Sequence, residues 1–159
     1  MYRNASTYMR SKNQIAWPEF DTEWIADEIN NQQQWKLIIE GKIACIWMTA
    51  FEDPLIWGKN EQNPSLYLHR ITTHTHFRGQ GVSRHLFNWA DRFAVRNLLS
   101  FIRMDTVGEN DGLIQLYGIY GFSLVGMQDL TNEKSLPLHY REGPVCLFQK
   151  EVLGPRFRK

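Results

Sequence analysis

The sequence predicts a mixed α/β fold in which a central sheet of about six to seven strands is flanked by helices on both faces. The period of the hydrophobic pattern alternates along the chain between that of strands and that of helices. Two glycines, Gly79 and Gly81, interrupt the chain directly before its longest helical stretch. Strands interleaved with helices in this order are typical of a sheet covered on both sides.

The individual elements follow from local patterns. Predicted helices cover residues 2–12, 21–31, 82–97 and 110–121, and predicted strands cover 35–39, 42–51, 65–75, 101–107, 122–127 and 145–152. Asp21 can cap the second helix, whose inward face is expected to carry Ile25, Ile29 and Trp24. Residues 40–42 form a hairpin turn, and the stretch between the second and third strands is predicted to be a polar loop.

Length and composition restrict the classes of protein. The 159 residues fit a single domain, residues 1–159, with 43% hydrophobic and 22% charged side chains. The 18 basic and 17 acidic side chains leave a net charge of +1, which argues against a dedicated nucleic-acid-binding protein. No apolar stretch approaches the roughly 20 residues of a membrane span, and the N-terminus lacks a signal-peptide core. We therefore expect a cytoplasmic protein without nucleic-acid or membrane partners.

The two cysteines, Cys45 and Cys146, each lie within an apolar run. We expect them to be reduced thiols in the core of the protein. A disulfide between them would require that their two strands pair in the sheet.

The segment 77–83, Phe-Arg-Gly-Gln-Gly-Val-Ser, joins a strand to the long helix. Helix N-termini carry unpaired N–H groups and a positive dipole end, and they bind phosphate when small residues let the ligand approach. The segment lacks the Lys-Ser/Thr pair of a P-loop, and Arg84 stands where a dinucleotide fingerprint needs its third glycine. A pyrophosphate site is one interpretation, and a glycine turn leading into a core helix is the other.

A second pattern follows a later strand, with Asn110, then Tyr117 seven residues on, then Gly121 and Phe122. Together the two patterns resemble the GNAT superfamily of acetyl-CoA-dependent N-acetyltransferases, over roughly residues 35–152. The resemblance implies the GNAT fold, acetyl-CoA as cofactor and direct acetyl transfer to the primary amine of a small-molecule acceptor. Ser83 departs from the Gly or Ala of the family motif. The family also opens with a strand before its first helix, so the usual first strand is expected to be missing here.

The resemblance also implies roles for particular residues. Backbone amides around Thr72 and Thr73 would polarise the thioester carbonyl, and Tyr117 would be the general acid that protonates the leaving thiolate. Asn110 is a helix cap, a contact to the cofactor, or both. The expected cofactor-binding residues are Ile71, Thr72, Thr73, Phe77, Arg78, Gly79, Gln80, Gly81, Val82, Ser83, Arg84 and Asn110.

The general base is the least determined part of the predicted site. Some relatives use a Glu on the strand before the glycine loop, where this chain has Ser65. His69 on the same strand is the candidate, because its side chain titrates near neutral pH. Glu52 and Asp53 acting through water are alternatives, as is proton removal by water alone.

Several other interpretations stay open at this point. His74 and His76 are expected to be solvated loop residues and not metal ligands, so no metal is predicted. Trp17 and Trp57 are candidates for the acceptor pocket. A non-catalytic acyl-CoA-binding module, a protein acetyltransferase and a phosphate-binding protein of unrelated fold are the functional alternatives. Homodimers are common among proteins with this pattern, so a homodimer is also open.

Overall fold

A single mixed sheet organises the protein in the computed structural model, in which residues 1–58 and 62–153 are described. The helices are α1 (Tyr2–Ser11), α2 (Thr22–Asn30), α3 (Pro54–Trp57), α4 (Val82–Arg96) and α5 (Asp111–Ile119). The strands are β1 (Gln34–Ile39), β2 (Lys42–Ala50), β3 (Ser65–Thr73), β4 (Phe101–Val107), β5 (Ser123–Gln128) and β6 (Val145–Glu151). Short 3-10 turns cover Thr75–Phe77 and Leu138–Arg141. Across the described residues, no helix has both the length and the apolar character needed to cross a membrane.

The six strands lie in the order β1-β2-β3-β4-β6-β5, which confirms the predicted mixed sheet. In the described part of the chain no strand precedes α1. The β1–β2 hairpin closes through Glu40 and Gly41, both with positive φ (49° and 75°), as a two-residue turn with the twist of the strands requires. β3 and β4 run parallel, whereas the other neighbouring strands pair antiparallel.

The parallel pair β3–β4 separates part-way along its length. Its register runs from Ser65 opposite Phe101 to Leu68 opposite Met104, and it stops there. The next residues, His69 on β3 and Asp105 on β4, are the first residues of these strands that do not pair with each other. Beyond them β3 stays attached to β2, and β4 stays attached to β6. The two halves of the sheet therefore diverge and leave a gap in its middle.

A β-bulge lies in β3 at the start of this divergence. Between the pairs Met48–His69 and Ile46–Thr72, β3 has two residues where β2 has one. Arg70, one of the two, has a φ of 51°, a left-handed conformation that costs a side-chain-bearing residue about 1 kcal/mol or more. Bulges bend a strand and redirect its side chains, so this one helps to turn the end of β3 away from β4.

Two hydrophobic cores cover the two faces of the sheet. Buried side chains of α4 and α5, among them Leu86, Ala90 and Tyr117, pack on one face. On the other face Ile56 and Trp57 of α3 pack against Tyr67 and neighbouring residues of β6. The prediction that Trp57 lines an acceptor pocket is wrong, because this side chain is 1% exposed within that second core. Pro54 starts a short helix inside the stretch predicted as a polar loop, and the helix turns Trp57 inward.

The inward face of α2 also differs from the prediction. Asp21 caps the helix as expected, accepting a hydrogen bond from the Glu23 backbone N–H at 2.7 Å. Trp24 and Ile29, which were expected to face inward, are 45% and 58% exposed. The buried residue of α2 is Glu28, at 3% exposure. Glu28 faces the core because its carboxylate forms an ion pair with the buried Arg70 side chain.

Both cysteines are free and buried, as predicted. Cys45 lies on β2 and Cys146 on β6, and β3 and β4 separate these strands in the sheet. The two strands therefore do not pair, so the geometric condition for a disulfide is not met.

Candidate active site

A cleft of about 680 Å³ opens where β3 and β4 diverge. Its floor and walls come from the ends of β3 and β4, the loop after β4 and the first turns of α5. α1 covers it with Ala5, Tyr8 and Met9, and the α1–α2 connection contributes Trp17. The volume falls in the range of roughly 300–1,000 Å³ that is usual for small-molecule sites.

The glycine loop forms one end of this site. Gly79 and Gly81 have φ of 75° and 71°, and Gly81 is the N-cap residue of α4. A Cβ on Gly79 would meet no atom within 4 Å, and one on Gly81 would meet only the Arg84 guanidinium at 4.0 Å. The loop is therefore open to a ligand on its glycine face, at the positive end of a 15-residue helix.

The structure brings half of the predicted cofactor residues to the cleft wall. These are Ile71, Thr72, Thr73, Arg78, Ser83 and Asn110. The Arg78 guanidinium lies 3.9 Å from the centroid of the Tyr8 ring, which ties the loop to α1. The side chains of Phe77 and Val82 are buried in the core, and the Phe77 N–H donates to the His74 carbonyl at 2.9 Å. Gly79, Gln80, Gly81 and Arg84 lie along the loop and the start of α4, outside the cleft lining.

The end of β3 presents its backbone to the gap. The His74 N–H donates to the Ala44 carbonyl of β2 at 2.8 Å. Successive N–H groups of an extended chain alternate between its two edges, so the N–H of Thr73 points the other way, towards the gap. This is the position that the sequence prediction required for an amide that polarises a carbonyl.

Tyr117 lies in the cleft wall on α5, with 8% of its surface exposed. Its ring packs against Phe87 and Phe148. Burial, and secondly the charge of the nearby Asp105 carboxylate, raise the pKa of Tyr117 above its ordinary value. The hydroxyl therefore keeps its proton at neutral pH.

Asn110 is a helix cap, the first of its two predicted roles, and it also lines the cleft. Its side-chain oxygen accepts a hydrogen bond from the Leu113 N–H at 3.1 Å, which caps α5. The same residue lines the cleft beside the loop that carries Glu109.

Asp105 is a site residue that sequence reasoning missed. It lies on β4 at the divergence and lines the cleft, with 4% of its side chain exposed. Its Oδ2 accepts a hydrogen bond from the Tyr140 hydroxyl at 2.8 Å, and its Oδ1 lies 3.3 Å from His69 Nδ1. One signal could have found it, because a carboxylate within the otherwise strand-like stretch 101–107 is unusual unless the carboxylate has partners.

His69, the predicted base, does not line the cleft but lies behind Asp105. Its Nε2 is 3.6 Å from Asp53 Oδ2, so each ring nitrogen faces a carboxylate. Burial alone would lower the pKa of His69, but the hydrogen bond and charge of Asp105 and the charge of Asp53 raise it above its ordinary value. One ring nitrogen of His69 and one carboxylate oxygen each of Asp53 and Asp105 lie within 4.8 Å of one another. One additional proton on the ring satisfies both carboxylates without a metal ion.

The two histidines of the connection after β3 have a local role. His74 Nδ1 accepts a hydrogen bond from the His76 N–H at 3.2 Å and caps the 3-10 turn Thr75–Phe77. Both side chains lie on a shallow depression beside Phe77, apart from the cleft.

The comparisons with known proteins decide the family. A sequence profile described as the acetyltransferase (GNAT) family matches residues 9–122. The chain belongs to this family. The matched range includes the glycine loop, Asp105 and the Asn110–Tyr117 pattern, and residues of both patterns line the cleft just described.

Two curated relatives match over shorter stretches. The chain is 31% identical over 74 residues to an uncharacterized N-acetyltransferase, YesJ, of Bacillus subtilis, covering 46% of this chain and 41% of the relative. It is 36% identical over 93 residues to a streptothricin acetyltransferase of Escherichia coli, covering 55% of this chain and 52% of the relative. The matched stretches thus span about half the length of these relatives.

Solved structures agree on the fold. A GNAT family acetyltransferase of Listeria monocytogenes superposes with a TM-score of 0.73 at 21% identity, over 95% of this chain and 85% of that one. A putative streptothricin acetyltransferase of Bacillus anthracis, solved with acetyl coenzyme A, gives a TM-score of 0.60 at 16% identity, over 84% and 69%. At these identities the likeness concerns the GNAT fold.

Proposed function

We propose that this GNAT protein is a single-domain N-acetyltransferase that moves an acetyl group from acetyl-CoA to the primary amine of a small-molecule acceptor. The observation that carries the proposal is that Tyr117, which keeps its proton, and the Asp105 carboxylate line the same cleft. The reaction needs one group to release a proton and another to accept one, and these two residues supply them.

The cofactor fits the glycine-loop end of the cleft. The open glycine face and the N-terminus of α4 suit the pyrophosphate of acetyl-CoA, and Arg78 adds a positive charge beside it. The Thr73 N–H is placed to polarise the thioester carbonyl. Acetyl-CoA supplies the activated acetyl group, and the B. anthracis relative with acetyl coenzyme A supports this choice.

Asp105 and Tyr117 together account for the proton transfers of the reaction. The acceptor enters as an ammonium ion, and Asp105 takes one of its protons, so that an N–H bond breaks and an O–H bond forms. The free amine attacks the acetyl carbonyl, a C–N bond forms and the C–S bond breaks. Tyr117 then donates its phenolic proton to the leaving thiolate. The attacking nitrogen loses its second proton as the amide forms, and this proton returns to the Tyr117 phenolate, while Asp105 releases its proton to solvent before the next cycle.

His69 takes a different role from the one predicted from the sequence. It lies behind Asp105, away from the cleft lining, so it does not contact the acceptor directly. The carboxylate between them is the group that reaches the cleft. We therefore assign Asp105 as the base and treat His69 as its neighbour.

The acceptor class follows from the cleft charges and from the relatives. Asp105 and the exposed Glu109 give the cleft two carboxylates that attract a cationic amine, and Trp17 offers an aromatic wall. The E. coli relative is named for streptothricin, which makes this antibiotic the first acceptor to test. Diamines and an N-terminal peptide complete the panel, and the peptide covers the alternative of a protein acceptor.

The test begins with the cofactor. Titration calorimetry of acetyl-CoA should give micromolar affinity for the wild type and no measurable binding for Gly81→Trp. Gly118→Trp is the matched control, because this exposed helical glycine has open space around it and lies outside the cleft lining. Acetyl-CoA that fails to bind the folded wild type would refute the proposal.

The second step measures thiol release with the acceptor panel. Turnover with streptothricin or a diamine, but not with the peptide, is the expected result. Tight acetyl-CoA binding without turnover on any amine would favour a non-catalytic acyl-CoA-binding module instead.

A further inference from the structure

The buried charges behind the cleft form a network whose role goes beyond binding. His69 and Asp105 are the first unpaired residues after the Leu68–Met104 pair, so they occupy the apex of the divergence between β3 and β4. Their side chains are 16% and 4% exposed. Asp53, the last residue before α3, lies on the far side of the imidazole with a 12% exposed side chain. The network therefore connects the cleft wall to residues behind it.

Two donors hold the Asp105 carboxylate in place. The Tyr140 hydroxyl donates to Oδ2 at 2.8 Å, and His69 Nδ1 faces Oδ1 at 3.3 Å. Each carboxylate oxygen has two lone pairs, so each keeps one for an incoming ammonium. Held in this way, Asp105 can meet the acceptor without first giving up its existing partners.

The geometry also indicates the charge on His69. An ionised carboxylate only accepts hydrogen bonds, and each ring nitrogen of His69 faces one. A neutral imidazole carries a single N–H, so it would leave one carboxylate facing a lone pair. The charged ring carries two N–H groups and satisfies both.

The remaining groups around the ring agree with a charged imidazole. Tyr67 of the same strand stacks on it with centroids 6.4 Å apart. Arg70, also on β3, is the opposing positive charge, while Tyr140 stays neutral because burial raises its pKa. The carboxylates Asp53 and Asp105 prevail over Arg70 and over burial, and the pKa of His69 is raised.

We propose that His69, held in its charged form by Asp53, is a positioning residue that orients the Asp105 carboxylate towards the incoming acceptor ammonium. The inference rests on the proposed function, since it concerns the base of that reaction. His69 holds its proton throughout the cycle, and only Asp105 exchanges one with the acceptor.

The first arm of the test is kinetic. His69→Gln keeps a neutral polar side chain and removes the positive charge, which the wild-type ring carries only below its own raised pKa. With streptothricin as acceptor, kcat/KM of His69→Gln divided by that of the wild type is measured from pH 6 to pH 9. Acceptor ionisation cancels in this ratio because both enzymes use the same substrate.

We expect the ratio to be about 0.1 near pH 6, where the wild-type ring is charged and orients Asp105. It should rise towards 1 near pH 9, where the wild-type ring has lost its charge. Asp53→Asn should lower kcat/KM over the same pH range by a smaller factor, because His69 then keeps one of its two carboxylates. His85→Gln, an exposed histidine of α4 outside the cleft, is the matched control and should stay at 1 throughout. A loss that is the same at every pH would show a merely structural role and would overturn the proposal.

The second arm needs no acceptor and separates this proposal from the proposed function. Histidine Cε1–H resonances are titrated by NMR in the wild type, and His69→Gln identifies the signal of His69. A midpoint above 6.5 that falls in Asp53→Asn supports the network. A wild-type midpoint at or below 6.5 overturns it, whether or not acetyl transfer is found.

Discussion

The buried ion pair between Arg70 and Glu28 gives a stability prediction that the structure makes quantitative. Their side chains are 10% and 4% exposed, and Glu28 also accepts a hydrogen bond from Gln34 Nε2 at 2.7 Å. The Arg70 guanidinium lies 4.9–5.6 Å from the ring centroids of three aromatic residues, Tyr2, Phe20 and Trp24. Arg70→Met removes the cation and leaves a carboxylate in the core with one remaining hydrogen bond.

The expected cost follows from the burial of that carboxylate. Removing one partner of a buried ion pair costs about 3–5 kcal/mol, because the other charge stays desolvated without compensation. For a chain of this length that corresponds to a fall of roughly 6–20 °C in Tm. Replacing both partners, as in Arg70→Met with Glu28→Leu, removes the uncompensated charge. The double variant should therefore be more stable than Arg70→Met alone.

Urea unfolding at pH 7, followed by circular dichroism, measures Arg70→Met, Glu28→Leu, the double variant and the wild type. The same residues join α1, α2, β1 and β3 around the bulge, so Arg70→Met should also expose the α1 cover of the cleft to faster proteolysis. A loss below about 1 kcal/mol for Arg70→Met, or additive losses in the double variant, would refute the reasoning.

Three further predictions concern the loop, the thiols and pH. Gly81→Ala should lower the free energy of unfolding in urea by about 1–2 kcal/mol, because Gly81 has a φ of 71° while the space around an added Cβ is open. Gly79→Ala should behave in the same way, and unchanged stability of these variants would contradict this reasoning. Burial raises the pKa of Cys45 to about 11 and also raises that of Cys146, so neither should react with a thiol reagent at pH 8 until urea is added. The raised pKa of His69 stabilises the fold below pH 6.5, and this contribution is lost as pH rises through the folded value. The stability difference between wild type and His69→Gln should accordingly shrink from pH 6 to pH 9, and a difference that grows would contradict the assignment.

Local patterns predicted most of the elements of the fold. The caps Asp21 and Asn110 and the turn at Glu40–Gly41 act through neighbouring residues, so they can be read from the sequence without a structure. The glycine loop was likewise placed before α4 because its signal spans a few residues.

Features that depend on distant residues were not predictable in the same way. α2 buries Glu28 instead of Ile29 because Glu28 forms an ion pair with Arg70. Arg70 is 42 residues away along the chain, so local patterns do not indicate this pairing. α3 has four residues, too few to show a helical period, so the burial of Trp57 was missed.

Asp105 illustrates the same limit within the site. Its importance depends on the register of β3 and β4, which stops one residue before it, and on contacts with His69 and Tyr140, which lie 36 and 35 residues away along the chain. Sequence patterns identified His69 on the correct strand. The bulge and the divergence of the strands decide which of the two side chains reaches the cleft.

Acetyl transfer by Tyr117→Phe tests the central claim most directly, with Tyr120→Phe, at the C-cap of the same helix, as the matched control. The kcat of each variant is measured with the fastest acceptor of the panel, alongside calorimetry of acetyl-CoA. If Tyr117 protonates the leaving thiolate, Tyr117→Phe lowers kcat by roughly 10²- to 10⁴-fold, and the affinity for acetyl-CoA is unchanged. Tyr120→Phe stays close to the wild type. A Tyr117→Phe enzyme with kcat within about threefold of the wild type would contradict the assigned mechanism.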